Sequence, residues 1–169
     1  MVKLLSLCAV LVVMACGTTS GITPFRGEDI GGKPFDLAPH LGKDVVVVSF
    51  WATFCEPCKA EMPYLQTFHE KYAKDGLAVV SVSIDGPDTE AGVAPYIRKQ
   101  GYTFPVVIDR DGSIVQSLNP TATAPFLVVI GRDGKVEKKV AGFQPSEAAG
   151  LEQELARLLA QSTSTQPRP

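Results

Sequence analysis

Two cysteines, Cys55 and Cys58, stand two residues apart directly after an apolar run. This spacing suits a metal clip, a haem attachment site, a structural disulfide or a reactive dithiol. A zinc site needs four ligands, and neither His40 nor His69 lies at ligand spacing from a cysteine or the other histidine. Haem attachment requires histidine directly after the second cysteine, where this chain has Lys59. The sequence therefore predicts neither a metal site nor a cofactor.

A structural disulfide and a redox dithiol remain as alternatives for this cysteine pair. A disulfide here would close a very small loop and would restrict the unfolded chain little. Cys55 falls where a strand gives way to a helix, whose unpaired N–H groups and dipole favour a thiolate. Pro57 stiffens the turn, and Cys58, one turn in, is expected to be more buried and to act as the resolving thiol. The position favours the redox dithiol.

The elements around the pair alternate between strands and helices. The valine-rich run 44–52 is typical of a central strand covered on both faces, and a helix is expected from Glu56 to about Lys74, with a kink at Pro63. A small hairpin at 29–37 precedes them. The remaining predictions are a strand at 77–85, a helix at 88–101, a strand at 104–109 ending in a turn, a hairpin at 125–142, and an amphipathic helix at 146–160 with Ser146 as its N-cap. This order predicts an α/β fold with a mixed sheet.

Composition and the two ends of the chain suggest an exported protein. The 169 residues carry a formal net charge of −2, with 45% hydrophobic and 20% charged residues, which suits one globular domain and gives no nucleic-acid footprint. Residues 1–15 have the features of a lipoprotein signal peptide, for which an ordinary cleaved signal and a retained anchor are the alternatives, and Cys16 is the expected lipidation site. We expect a flexible tether over 16–24, the folded domain over 25–160 and a disordered tail over 161–169.

The stretch FWATFCEPCKAEMP, from Phe50 to Pro63, resembles the active-site motif of ResA/TlpA-type thioredoxin-like thiol–disulfide oxidoreductases. The likeness extends over most of 25–160. It implies a thioredoxin-like fold, with a mixed central sheet flanked by helices and an N-terminal β-hairpin. It also implies a monomeric bacterial lipoprotein, anchored to a membrane and facing the periplasm or extracytoplasmic side. Such a protein reduces protein disulfides, often those of apocytochrome c during cytochrome c maturation, with electrons from an upstream membrane donor.

The resemblance also assigns a groove for an extended substrate peptide. In the family a cis-proline, here Pro125, stands beside the cysteine pair, and the residue before it, here Ala124, offers its backbone to the peptide. Phe54 stands where the family usually has an indole ring, and Phe126 stands where it commonly has threonine. Both flank the groove, so the resemblance implies the chemistry more firmly than the substrate preference. The expected substrate-binding residues are Trp51, Phe54, Glu56, Pro57, Ala124 and Pro125.

The carboxylate of Glu61 is the third catalytic candidate. Glu61 lies three residues after Cys58, so the two share a helix face. From the residues alone it reads as a surface carboxylate near a helix start, but the ResA-type motif has glutamate here, close to both sulfurs. Thioredoxins proper carry a buried aspartate where this chain has Ser49, and serine cannot take over its proton transfer. The resemblance therefore implies the catalytic residues Cys55, Cys58 and Glu61.

Two other protein classes compete with this interpretation. A peroxiredoxin would use Cys55 against peroxide, but its motif needs threonine at the position of Ala52, and Thr53 is one residue late. A Sco-type copper chaperone is a binding module that needs three residues between its cysteines and a distal histidine. Here two residues separate the cysteines, and no histidine follows His69.

Overall fold

The computed structural model describes residues 21–161, which form two sheets and four α-helices. The expected signal peptide, the lipidation site at Cys16 and all but the first residue of the expected tail lie outside these residues. Along the chain the elements are β1 (Arg26–Glu28), β2 (Pro34–Asp36), β3 (Val45–Trp51), α1 (Glu56–Tyr72), β4 (Leu77–Ser83), α2 (Val93–Gln100), β5 (Val106–Ile108), α3 (Ser113–Leu118), β6 (Phe126–Ile130), β7 (Val136–Ala141) and α4 (Ala148–Ala160).

The main sheet has the strand order β5-β4-β3-β6-β7. Strand β3 lies at its centre, parallel to β4 and antiparallel to β6, and all seven of its residues are buried. This confirms the mixed sheet and the two-sided burial that the valine run predicts. One face packs against α1, α2 and α4, and the other packs against α3 and the hairpin. The architecture is the expected thioredoxin-like fold.

The hairpin β1–β2 closes the β5 edge of the sheet. The amide of Ile30 donates to the carbonyl of Val106 at 2.9 Å, and Asp29 forms an isolated bridge with Val107. Gly27 is needed at this contact, because a Cβ there would lie 2.5 Å from Cγ1 of Val107. At the opposite edge, β7 is mostly exposed and carries Lys138 and Lys139.

Helix α1 runs through Pro63 without a break and is followed by a 3-10 turn at Ala73–Asp75. The sequence predicts the turn after β5 but not the helix that follows it, and its assignment of Ser146 as an N-cap is wrong. The turn after β5 leads into the short helix α3, because the buried carboxylate of Asp109 accepts from the amides of Ile114 and Val115. Ser146 is not an N-cap, since it lies within a 3-10 turn that Gln144 and Glu147 close by a capping box.

Among residues 21–161, none of the helices combines the length and the apolar character that crossing a membrane requires.

Candidate functional site: a disulfide at the head of α1

The cysteines form a disulfide, Cys55–Cys58, at the N-terminus of α1. Cys55 is the N-cap, and its sulfur accepts a hydrogen bond from the Cys58 amide at 3.3 Å. Cys55 is half-buried, whereas Cys58 has no exposed surface. Pro57 occupies the first turn, where the missing N–H costs no helical bond. The N-terminal end of α1, with the Cys58 amide donating to sulfur, therefore lies beside Cys55, the sulfur that solvent can reach.

Glu61 lies one turn further along α1 and is almost fully buried, with 2% of its surface exposed. Its Oε2 accepts a hydrogen bond of 2.8 Å from the hydroxyl of Ser49, on the central strand. Burial raises the pKa of Glu61 to about 7, although the Ser49 hydrogen bond acts in the opposite direction. Glu61 is therefore a group that can hold or release a proton near neutral pH, unlike the surface carboxylate that the residues alone suggest.

The segment before Cys55 is fixed by a buried carboxylate that the sequence analysis missed. Asp85, at the end of β4, accepts from the amide of Thr53 at 2.9 Å and also from its hydroxyl. The hydroxyl of Ser83 donates to the same carboxylate at 2.8 Å. The signal was present in the sequence: parallel strands β3 and β4 end at the same edge of the sheet, so an acid after β4 falls beside the residues after β3.

The peptide bond between Ala124 and Pro125 is cis, as the resemblance implies. Phe126 pairs with Phe50 near the end of β3, so the proline and the cysteines lie at the same end of the sheet. The Pro125 carbonyl accepts from the Gly142 amide at 2.8 Å. Among residues 21–161, neither the amide nor the carbonyl of Ala124 has a hydrogen-bond partner. Ala124 thus has free backbone groups at the end of the sheet where the disulfide lies.

The remaining predicted substrate-binding residues differ in their exposure. Phe54 is 66% exposed, which is exceptional for so large an apolar side chain. Glu56 is exposed and pairs with Lys59 at 2.7 Å, and Pro57 is exposed between the cysteines. Trp51, in contrast, has no exposed surface and packs against Tyr96. Its side chain belongs to the core between the sheet and helices α1, α2 and α4, so the expected contact with a substrate is not available in this structure.

The histidines also differ from one another. Nδ1 of His40 lies 2.8 Å from the carboxylate of Asp44. His69 faces the ring of Phe104, and within residues 21–161 its buried Nδ1 has no hydrogen-bond partner. Burial lowers the pKa of His69, so its ring is neutral at pH 7.

Comparisons with known proteins agree with this geometry. The sequence model of the Redoxin family matches residues 20–155. A thiol-disulfide oxidoreductase ResA of Bacillus thuringiensis subsp. konkukian is 32% identical over 123 residues, which cover 73% of this chain and 69% of that protein.

Two solved structures share the fold over most of the chain. A thiol:disulfide interchange protein of the thioredoxin family from Chlorobium tepidum TLS superposes with a TM-score of 0.72, at 25% identity, over 83% of this chain and 96% of the other. The exposed lipoprotein thioredoxin Etrx1 of Streptococcus pneumoniae does so with a TM-score of 0.68, at 26% identity, over 80% of this chain and all of the other. The chain belongs to the Redoxin family, as a ResA/TlpA-type thioredoxin-like thiol–disulfide oxidoreductase that carries the redox pair Cys55 and Cys58.

Proposed function

We propose that this protein is a membrane-anchored, extracytoplasmic reductase of protein disulfides. The observation that carries the proposal is the unequal environment of the two sulfurs. Cys55 is half-buried at the helix N-terminus, and Cys58 is fully buried one turn in, on the helix that carries Glu61. Only Cys55 is open to a partner.

In the reduced protein, the Cys55 thiolate attacks one sulfur of a substrate disulfide. A mixed disulfide forms, and the other substrate sulfur leaves as a thiolate. Cys58 then loses its proton and attacks Cys55, which releases the second substrate thiolate and forms the Cys55–Cys58 disulfide. Two electrons pass from the dithiol to the substrate, and two protons complete the substrate thiols. A membrane-borne thiol donor must then reduce the pair again.

Glu61 is the proposed proton carrier of this exchange. Its pKa of about 7 means that both of its protonation states are populated under ordinary conditions. A protonated Glu61 can supply a proton to a leaving thiolate, and an ionised Glu61 can accept the proton of Cys58. Ionised Glu61 also opposes a thiolate nearby, because two negative charges repel, so the three groups titrate as a coupled set. Glu61→Gln should therefore slow exchange with a protein disulfide and alter the pH dependence of cysteine alkylation, whereas unchanged rates and titration would remove Glu61 from the mechanism.

The proposed docking face for substrate consists of Phe54, Cys55, Glu56, Pro57 and Ala124, with Pro125 buried directly after Ala124. Phe54 supplies an exposed aromatic contact, and Ala124 offers a free amide and carbonyl to an extended peptide. Recognition through backbone groups and one aromatic ring suits an unfolded segment around a cysteine pair. The disulfide of an apocytochrome c at its haem-attachment cysteines is the substrate that the family resemblance favours.

A trapping experiment tests the roles within the pair. Cys58→Ser should accumulate mixed disulfides with partner proteins through Cys55, visible on non-reducing gels and identified by mass spectrometry. Cys55→Ser is the matched control, because its remaining sulfur is buried and should capture little. Equal trapping by the two variants would contradict the assignment.

The proposed membrane anchor rests on residues outside the structure. The apolar segment before Cys16 ends in the sequence VMAC, and the Streptococcus pneumoniae relative is described as an exposed lipoprotein. Cys16→Ser should block lipidation and move the protein from the membrane fraction to uncleaved precursor or released protein. Wild-type protein found only in the soluble fraction would overturn the anchor and leave the redox assignment intact.

A further inference from the structure

A pocket of about 520 Å³ lies between β7, the C-terminal helix α4 and the side chain of Glu61. Leu127 and Val140 form part of its lining, and they are cross-strand neighbours. Ser49, the hydrogen-bond partner of Glu61, pairs with Leu127 in turn. The row from Ser49 through Leu127 to Val140 therefore leads from Glu61, at the centre of the sheet, to its β7 edge.

The pocket meets the redox site only at Glu61. Its lining contains neither cysteine, and it contains neither Phe54 nor Ala124. A protein bound on the docking face would cover Cys55 and would leave this pocket free. Glu61 thus forms part of the wall of a pocket on the β7–α4 side, and the hydrogen bond from Ser49 engages its Oε2 alone among residues 21–161.

We propose that Glu61 exchanges its proton with solvent through the β7–α4 pocket, so that proton supply continues while a substrate protein covers the cysteines. The inference rests on the proposed role of Glu61. The thiol exchange delivers protons to substrate sulfurs at a face from which the partner excludes water. A separate route lets Glu61 return to its starting protonation state before the partner leaves.

The lining of the pocket is part charged and part apolar. Lys138, Lys139 and Glu147 line the pocket, and Glu61 forms its inner end. Glu61 bonds Ser49 on β3, and Cys58 is buried one turn before it on the same helix. The polar groups near the outer part of the pocket can support water, while Leu127, Val140 and Leu151 make the rest of the lining apolar.

Position 150 controls how open the pocket is. Gly150 lies on α4 and lines the pocket, and a Cβ added there would meet no atom within 4 Å. Its backbone needs no positive φ, so a side chain can be introduced without strain. Gly150→Trp should cover the opening, whereas Gly150→Ala adds one methyl group and corrects for helix propensity. Ala149→Trp, at an exposed position outside the lining, controls for the added indole.

The probe is dicyclohexylcarbodiimide, an apolar reagent that modifies protonated carboxyl groups. Full-length protein is treated at pH 6, and the modification of Glu61 is followed by peptide mass spectrometry, with Glu61→Gln as the blank. Gly150→Trp should slow the labelling about tenfold, the factor for a local opening that costs about 1.4 kcal/mol. Gly150→Ala and Ala149→Trp should be labelled at the wild-type rate.

A variant with the cysteine side covered distinguishes entry through the β7–α4 pocket from entry past the cysteines. In Cys58→Ser, Cys55 is converted to a mixed disulfide with glutathione, which covers the cysteine side, and labelling of Glu61 should persist. Labelling that the cap abolishes and Gly150→Trp leaves unchanged would overturn the pocket route, as would wild-type protein that is not labelled at Glu61. The catalytic role of Glu61 is judged separately, by the exchange rate of Glu61→Gln.

Discussion

The hydroxyl of Ser49 donates to Oε2 of Glu61 across 2.8 Å, which joins the central strand to the helix that carries the cysteines. Both side chains are buried. The bond stabilises the ionised carboxylate in a place where burial favours the neutral acid, and the balance leaves the pKa of Glu61 at about 7. In the proposed mechanism the pair divides two tasks: Glu61 carries the proton, and Ser49 limits how far its pKa rises.

Glu61 should make the oxidised protein less stable as pH rises. Its pKa is raised by folding, from 4.5 to about 7, so its contribution is full below pH 4.5 and falls until about pH 7. The loss is at most about 3 kcal/mol in the free energy of unfolding. The free energy of unfolding, measured with urea, should decrease less between pH 5 and pH 8 for Glu61→Gln than for wild type. Glu70→Gln, at an exposed site on the same helix, should retain the wild-type decrease.

Ser49→Ala should raise the pKa of Glu61 further, because it removes the hydrogen bond that favours the ionised form. A hydrogen bond to a charged group corresponds to roughly one pH unit. The inflection in the pH profile of protein disulfide reduction should move upward by that amount. Ser49→Thr, which retains a hydroxyl, should restore much of the wild-type profile. A downward movement in Ser49→Ala would show that the hydroxyl acts on Glu61 in the opposite sense.

Loss of the contact between Asp85 and Thr53 should loosen the segment before Cys55. Thr53→Val removes one hydroxyl partner of a buried carboxylate, at a cost of about 1–3 kcal/mol in the free energy of unfolding. Alkylation of Cys55 in the reduced protein should also change its rate, because Thr53 lies two residues before that sulfur. Asp88→Ala, at an exposed site in the following loop, is the control and should alter neither quantity. Wild-type stability in Thr53→Val would show that this contact contributes nothing.

Phe54→Ala should weaken the reduction of protein disulfides without slowing small disulfides. The ring is 66% exposed in the free protein. Its burial by a partner would stabilise the complex, so its removal should raise the KM for a protein disulfide about tenfold. The comparison is between a protein disulfide and hydroxyethyl disulfide as substrates. Val136→Ala, at a second exposed apolar residue, should leave both activities unchanged. An equal loss with both substrates would place Phe54 in the chemistry itself.

The sequence predicts those strands and helices whose residues form a clear local pattern of apolar and polar positions. The apolar run at β3 and the cysteine spacing at the head of α1 are enough to predict where the redox pair lies. Contacts between residues distant in the sequence cannot be predicted in this way, because they depend on how the elements pack. Thr53 and Asp85 are 32 residues apart, and their bond depends on how β3 and β4 end together in the sheet. Helix α3, with only six residues, is too short to show a helical period and depends on the tertiary position of Asp109.

Glu61 shows the same limit at the site itself. Its spacing from Cys58 indicates a shared helix face, but a spacing contains no information about burial. The resemblance implies a catalytic carboxylate, and the structure adds the reason for its altered acidity, which is the hydrophobic surroundings that α1 and the sheet impose. The opening beside β7 was not predictable, because it depends on the absence of a side chain at Gly150 and on the path of α4 across the sheet.

The two edges of the main sheet determine whether an unfolded chain can pair with its strands. The hairpin covers β5, and the lysines of β7 disfavour pairing along the other margin. An enzyme that repeatedly meets extended, cysteine-bearing segments is exposed to a particular hazard, since an open strand would bind them along its length and seed aggregates. With both edges protected, the proposed docking face would hold a client chain at one end of the sheet only, by an aromatic ring and a transient sulfur bond, and the chain would leave when that bond is broken.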